Sequence, residues 1–166
     1  MILRRCDHDL FVFVWMHLFG YLGLFWGIIV ASLARGETIP GCRNLAIARK
    51  TTIAILFPAL AILVGQTVPA IVSCAIGIIL IVFHDRIKHH EIATYGSAIV
   101  ISGLIIEGLG WVTILLTFYG MFSGSLIVSQ ALETKGRISR SLLELWKGTW
   151  PIIAIILLTS IVRYLW

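Results

Sequence analysis

Four long apolar runs constrain this chain more than any other feature: Leu10 to Leu33, Thr51 to Phe83, Ile92 to Leu132 and Trp150 to Trp166, interrupted by no charged residue except Glu107 and Arg163. A helix rises about 1.5 Å per residue and crosses the hydrocarbon core of a bilayer in about 20 residues. The second and third runs, of 33 and 41 residues, are therefore too long for one ordinary span each. Each reads as a tight hairpin of two. The first breaks at Gly65-Gln66-Thr67-Val68-Pro69, where Pro69 suits the opening turn of a helix, and the second near Glu107-Gly108-Leu109-Gly110. The expectation is an all-α, polytopic transmembrane helix bundle of about six short spans, 10–33, 50–65, 68–84, 92–107, 110–131 and 149–166. These form a single membrane domain over 1–166 with no sizeable soluble part.

Composition agrees. Apolar residues make up 59% of the chain and charged residues 13%, too little polar surface to clothe a soluble fold of this size. The net charge of +5 would suggest nucleic acid in a soluble protein. Here the basic residues sit between apolar runs, so the charge reads as topology and no nucleic-acid partner is expected.

Lys and Arg collect in short cytoplasmic loops. With six spans the three polar loops share one side and hold Arg35, Arg43, Arg49, Lys50, Arg86, Lys88, Lys135, Arg137, Arg140 and Lys147, which is 10 of the 13 basic residues. Four spans would divide them 8 to 5. Loops 34–50, 84–91 and 132–148 are therefore expected to be cytoplasmic, with both termini outside. Arg4 and Arg5 pull the other way, partly offset by Asp7 and Asp9. An alternative makes residues 1–34 a cleaved signal peptide ending at the small-x-small site Ser32-Leu33-Ala34. Short loops suit a bacterial or archaeal cytoplasmic membrane.

Helices in lipid associate through close backbone approach at small residues. Gly23, Gly27 and Ala31 follow at spacing four in the first span, and Gly120 and Gly124 repeat that spacing in the fifth. These are expected helix-packing positions, either within the bundle or toward a homo-oligomer or a larger membrane complex. Trp15, Trp111, Trp146, Trp150 and Trp166 fall near span ends, as interfacial anchors do.

Polar residues at membrane depth are costly and face the bundle interior, so they carry the functional hints. Glu107 closes the fourth span with no basic neighbour in sequence, and could exchange a proton, hold a cation or cap the next helix. His17 lies about two turns into the first span, where it could ligate a haem or metal, relay a proton or simply cross-link to a neighbouring helix. Gln66 occupies the other hairpin tip. Together Glu107, His17 and Gln66 form the candidate intramembrane site, leaning toward the outer half of the bundle.

The loop His84-Asp85-Arg86-Ile87-Lys88-His89-His90-Glu91 has neither HxxxH nor HExxH spacing and reads as a solvated segment at lipid headgroups. Residues 133–148 place Ile138, Leu142, Leu145 and Trp146 on one helical face, as in a short interfacial helix. Cys6, Cys42 and Cys74 form no CxxC, so neither a thiol relay nor a zinc knuckle is indicated. No metal site and no cofactor is indicated, and no nucleophile set, phosphate loop or carboxylate pair points to an enzyme.

His17 in the first span, Pro58 in the second and His84 at the end of the third resemble the arrangement in copper-resistance D-like membrane proteins and in membrane-bound protoporphyrinogen oxidases. The likeness spans about half the chain, and no haem ligand is carried over from it. Three function classes follow. The first is a small transporter or channel-like protein moving a small solute or ion, with the lipid bilayer as its medium. The second is an accessory or assembly subunit of a larger membrane complex, and the third a haem- or metal-handling redox protein.

Overall fold

The computed structural model describes residues 2–38, 40–83, 86, 90–105, 108–133 and 150–162, without the side chains of residues 2–10, 35 and 133. Among these residues the chain is all-helical, with no strand. The elements are α1 (Ile2–Leu33), the short α2 (Arg35–Thr38), α3 (Cys42–Val64), α4 (Thr67–Val82), α5 (His90–Ser102), α6 (Leu109–Glu133) and α7 (Trp150–Val162).

Three of them, over Phe11–Leu33, Cys42–Val64 and Leu109–Leu132, are long and apolar enough to cross a membrane. The surface supports the same reading. Phe11, Phe19, Trp26, Ile62, Ile71, Ile78, Val82, Trp111 and Leu158 are all exposed, while His17, Ser73, Thr94, Ser102, Ser123 and Ser129 are buried. Water would penalise that apolar exterior, whereas lipid does not, and several interior hydroxyls, those of Ser73, Ser102 and Ser125 among them, bond to backbone. Together these features suggest a membrane protein.

Local chemistry explains the helix ends. Gly65 closes α3 with φ 67° and Gly108 precedes α6 with φ 87°, left-handed conformations that a β-carbon would strain. Gln66 is extended and opens α4, its carbonyl accepting from Ala70 N at 3.0 Å, with Pro69 in the first turn. Pro58 lies inside α3, on its exposed side. α5 ends earlier than the expected 92–107, giving way at Gly103 and Leu104 to a turn, while α3 starts eight residues before the expected 50.

Contacts fix the relative directions of the long helices. Along α1 and α6 the register advances together: Gly20 faces Leu116, Leu24 faces Gly120 and Gly124, and Ser125 Oγ donates to Gly27 O at 3.1 Å. These two are parallel. α5 runs against α1, since Tyr95 reaches Gly20 while Ser102 reaches His17. α3 runs with α5, because Arg49 meets His90 at one end and Leu63 meets Gly108 at the other. α4 folds back on α3, with Ser73 Oγ donating to Phe57 O at 2.8 Å and Gly77 lying over the Phe57 ring. α7 follows α5, Ile155 against Gly96 and Thr159 against Gly103. Thus α1, α4 and α6 point one way and α3, α5 and α7 the other. The helix ends flanking segments 34–41, 83–90 and 133–150 gather at one end of the bundle, and the turns at 65–66 and 103–104, with Gly108, at the opposite end.

The core follows from these faces. Leu24, Ile53, Leu56, Phe57, Leu60, Tyr95, Ile99, Leu116, Tyr119, Ile152 and Ile156 form one buried cluster drawn from α1, α3, α5, α6 and α7.

Candidate functional site

The seam between α1 and α6 is built on glycine. A β-carbon on Gly23 would strike Thr117 O, and one on Gly27 would strike Met121 O. In return, one on Gly120 would lie 2.6 Å from Leu24 N, and one on Gly124 would strike Leu24 O. The two glycine pairs thus face each other's backbone within the chain, and Ala31 lies buried beside Ile28 and Val128 at the seam's upper end. This close approach sets the interior against which α5 lays its polar side chains.

His17 is buried on α1 and bonded at both ring nitrogens. Nδ1 lies 2.8 Å from Phe13 O, one turn back, and Nε2 lies 2.7 Å from Ser102 Oγ on α5. A carbonyl only accepts, so Nδ1 carries a proton and donates. Ser102 Oγ is also 2.8 Å from Ile99 O. Its single proton therefore has two acceptors in reach. Directed at Nε2, it satisfies a neutral imidazole; directed at Ile99 O, it leaves Oγ to accept from a protonated ring. Either protonation state of His17 closes its hydrogen bonds.

One helical stripe of α5 continues from Ser102 through Ala98, Tyr95 and Thr94 to Glu91, at spacings of three and four. Tyr95 is fully buried, its hydroxyl 3.2 Å from Gly20 O and 3.1 Å from Leu116 O, so it ties α5 to both helices of the seam. Its ring packs edge-on against Tyr21, centroids 6.0 Å apart, and against Tyr119 at 5.5 Å. Beyond it, the Tyr119 hydroxyl is buried beside those of Thr94 and Ser123, near enough for the three to interact with one another and with no other hydrogen-bond partner among the described residues.

At the end of the bundle where the basic segments attach, Arg49 is buried on the inner stripe of α3 with Ile53, Leu56 and Leu60. Its Nη1 lies 2.7 Å from His90 Nε2, which is also 2.8 Å from Glu91 Oε1. Burial alone would raise the Glu91 carboxyl. The hydrogen bond and charge of His90, with its own backbone N–H and the charge of Arg49, outweigh that and hold it below its ordinary 4.5. His90 Nε2 thus sits between a donor and an acceptor.

Two of the three sequence-expected site residues lie among the described residues. His17 meets Ser102. Gln66 is exposed at the α3–α4 turn, at the end of the bundle toward which His17 lies, and bonds through its backbone. Glu107 lies outside the described residues, as do residues 84, 85 and 87–89 of the polar loop and residues 134–149, which include the expected interfacial helix. Sequence reasoning missed Arg49, His90, Glu91 and the three tyrosines. The signal was present, since Arg49 falls in phase with Ile53, Leu56 and Leu60, and Glu91 in phase with Thr94 and Ser102.

Among the described residues no group of three or more His, Cys, Asp or Glu side chains converges as metal ligands would. In comparisons with family models, curated proteins and solved structures, nothing matched the chain.

Proposed function

We propose that this chain is a six-span integral membrane protein that moves a small solute or ion through the interior between α1, α5 and α6, with segments 34–50, 84–91 and 132–148 on the cytoplasmic face. The observation that carries the reading is the set of polar groups inside the bundle: Arg49 with the half-buried His90 and Glu91, then Thr94, Tyr119 and Ser123, toward one end, and Ser102 with His17 toward the other, with the Tyr95 hydroxyl between them. Polar groups at membrane depth are expensive, and a line of them along a bundle axis is how membrane proteins build a route. The alternating helix directions support six crossings, three of them by helices long and apolar enough to span and three by shorter apolar helices. At 1.5 Å per residue α4 reaches about 24 Å and α5 and α7 about 20 Å, short of a hydrocarbon core of about 30 Å. Local thinning of the bilayer and flanking residues accommodate such spans.

Reconstituted vesicles test this by light-scattering swelling with a panel of small ions and neutral solutes. Permeation above that of empty vesicles is expected, with loss in Glu107→Gln and His17→Phe. Unchanged permeation in both variants sinks the assigned route. Single cysteines at Gln66→Cys and Arg86→Cys in a cysteine-free background should label from opposite sides, and labelling from one side sinks the span count.

The accessory-subunit reading draws on a different feature. An apolar groove of about 430 Å³ lies between α4 and α5, lined by Val68, Pro69, Val72, Val100, Ile101 and Leu104 among others. Vesicles no more permeable than empty ones, together with a stoichiometric partner chain on purification, favour it.

A further inference from the structure

We propose that His90 is a pH-operated latch between α3 and α5, its Nε2 bound to Arg49 when the ring is neutral and to Glu91 when the ring is protonated. The latch goes beyond the transport reading and does not rest on it.

Two contacts on one nitrogen carry the inference. Nε2 lies 2.7 Å from Arg49 Nη1, across two helices, and 2.8 Å from Glu91 Oε1, on the next residue of its own helix. A guanidinium only donates and an ionised carboxylate only accepts. Nε2 carries either a lone pair or a proton, so it serves one of these partners at a time. In the neutral ring the Arg49 donor selects the tautomer with its proton on Nδ1, and the Nε2 lone pair then faces a carboxylate oxygen that repels it. In the charged ring Nε2 donates to Glu91, and the guanidinium beside it becomes a second cation that is pushed off the ring. Each state satisfies one contact and works against the other, so gain or loss of a proton exchanges the partner.

The exchange matters for the fold because the two bonds differ in what they join. The Arg49 bond ties α5 to the inner stripe of α3, where Arg49 is buried in phase with Ile53, Leu56 and Leu60. The Glu91 bond joins neighbours on α5 and holds no second helix. Glu91 feels Arg49 through charge, and its hydrogen bonds come from His90 and from its own backbone. Protonation of His90 therefore undoes a cross-helix bond at the end of the bundle where the basic segments attach.

Only the ring changes charge over the pH range in which histidine ordinarily titrates, between 5 and 8. The Glu91 carboxyl is held below its ordinary 4.5 and the guanidinium is always charged. Tyr95 on α5 and Tyr119 on α6, which the Glu91 charge reaches, are uncharged there.

Double-mutant cycles on the full chain, by unfolding in mixed micelles at pH 8 and pH 5, test the latch. The cycle of Arg49→Met with His90→Ala should show a coupling of about fivefold in the unfolding constant at pH 8, the contribution of one hydrogen bond, and none at pH 5. The cycle of His90→Ala with Glu91→Ala should show the reverse. His89→Gln should leave both patterns unchanged. An Arg49–His90 coupling that is equal at the two pH values, or absent from both, overturns the latch. If a variant fails to fold, nitrogen NMR of the wild-type chain labelled at histidine decides. Nε2 of His90 should be unprotonated at pH 8 and protonated at pH 5, and one protonation state at both overturns the proposal.

Discussion

The α1–α6 seam and the contact of α5 with α7 both place glycine between helices, with opposite results. Along the seam the glycines come in facing pairs, so Gly23 and Gly27 admit the backbone of α6 while Gly120 and Gly124 admit that of α1. On the other side Gly96 meets only the tip of Ile155, at 3.0 Å, and the neighbouring surface opens into the apolar groove. A glycine face brings helices into backbone contact only when its partner is also small at the same height. Spacing alone, four in the seam and seven between Gly96 and Gly103, does not supply that match.

Enlarging the seam should have the largest effect. Gly27→Leu or Gly124→Val forces a side chain into Met121 or Leu24 backbone, which cannot yield as a flexible side chain would. Overpacking of this kind costs about 1–3 kcal/mol, and here the upper end is expected. Unfolding in mixed micelles measures it, and a loss below about 0.5 kcal/mol would show that the seam is not held by backbone contact.

Ser102→Ala removes the α5 partner of His17 Nε2 and should cost about 1 kcal/mol in the same assay. Added to Gly27→Leu, it should cost less than it does alone, because the widened seam already loosens α1.

Acid should act at the opposite end of the bundle. The folded Glu91 carboxyl is held below 4.5, so its contribution is complete above that value and is lost as pH falls through the lowered one. Among the described residues the groups facing it are His90 and Arg49. The melting temperature of wild type should fall across this window, and part of the fall should vanish in Glu91→Gln. An identical acid profile in both breaks the assignment.

Gly96→Ala, on the open side, should stay within about 0.5 kcal/mol, since a methyl there displaces only the end of the Ile155 side chain. A cost matching that of the seam variants would erase the distinction between the two regions.

Much of the helical scaffold was legible in the sequence. The breaks after Gly65 and around Gly108 are where the chain needs a left-handed residue, and the apolar runs between them are helices. Helix ends were less legible: α3 gains its first two turns from the polar stretch Cys42 to Lys50, which hydropathy reads as loop. The candidate site was legible in part. His17 stands out as a lone imidazole in an apolar run, whereas Tyr21, Tyr95 and Tyr119 look like ordinary aromatic residues until their hydroxyls are seen to be buried.

The sequence by itself determined that the chain is helical, that its outside is apolar and that most of its basic residues, 10 of 13, fall in three segments, because these depend on local composition and periodicity. Only the tertiary structure decided that α1 and α6 lie parallel in backbone contact, and that Arg49 meets His90 across 41 positions of chain. It alone placed Ser102 on His17 and left Gln66 at the surface. Pairing of this kind depends on which faces meet and at what height along the bundle, and residues distant in sequence carry no periodic signal of that relation.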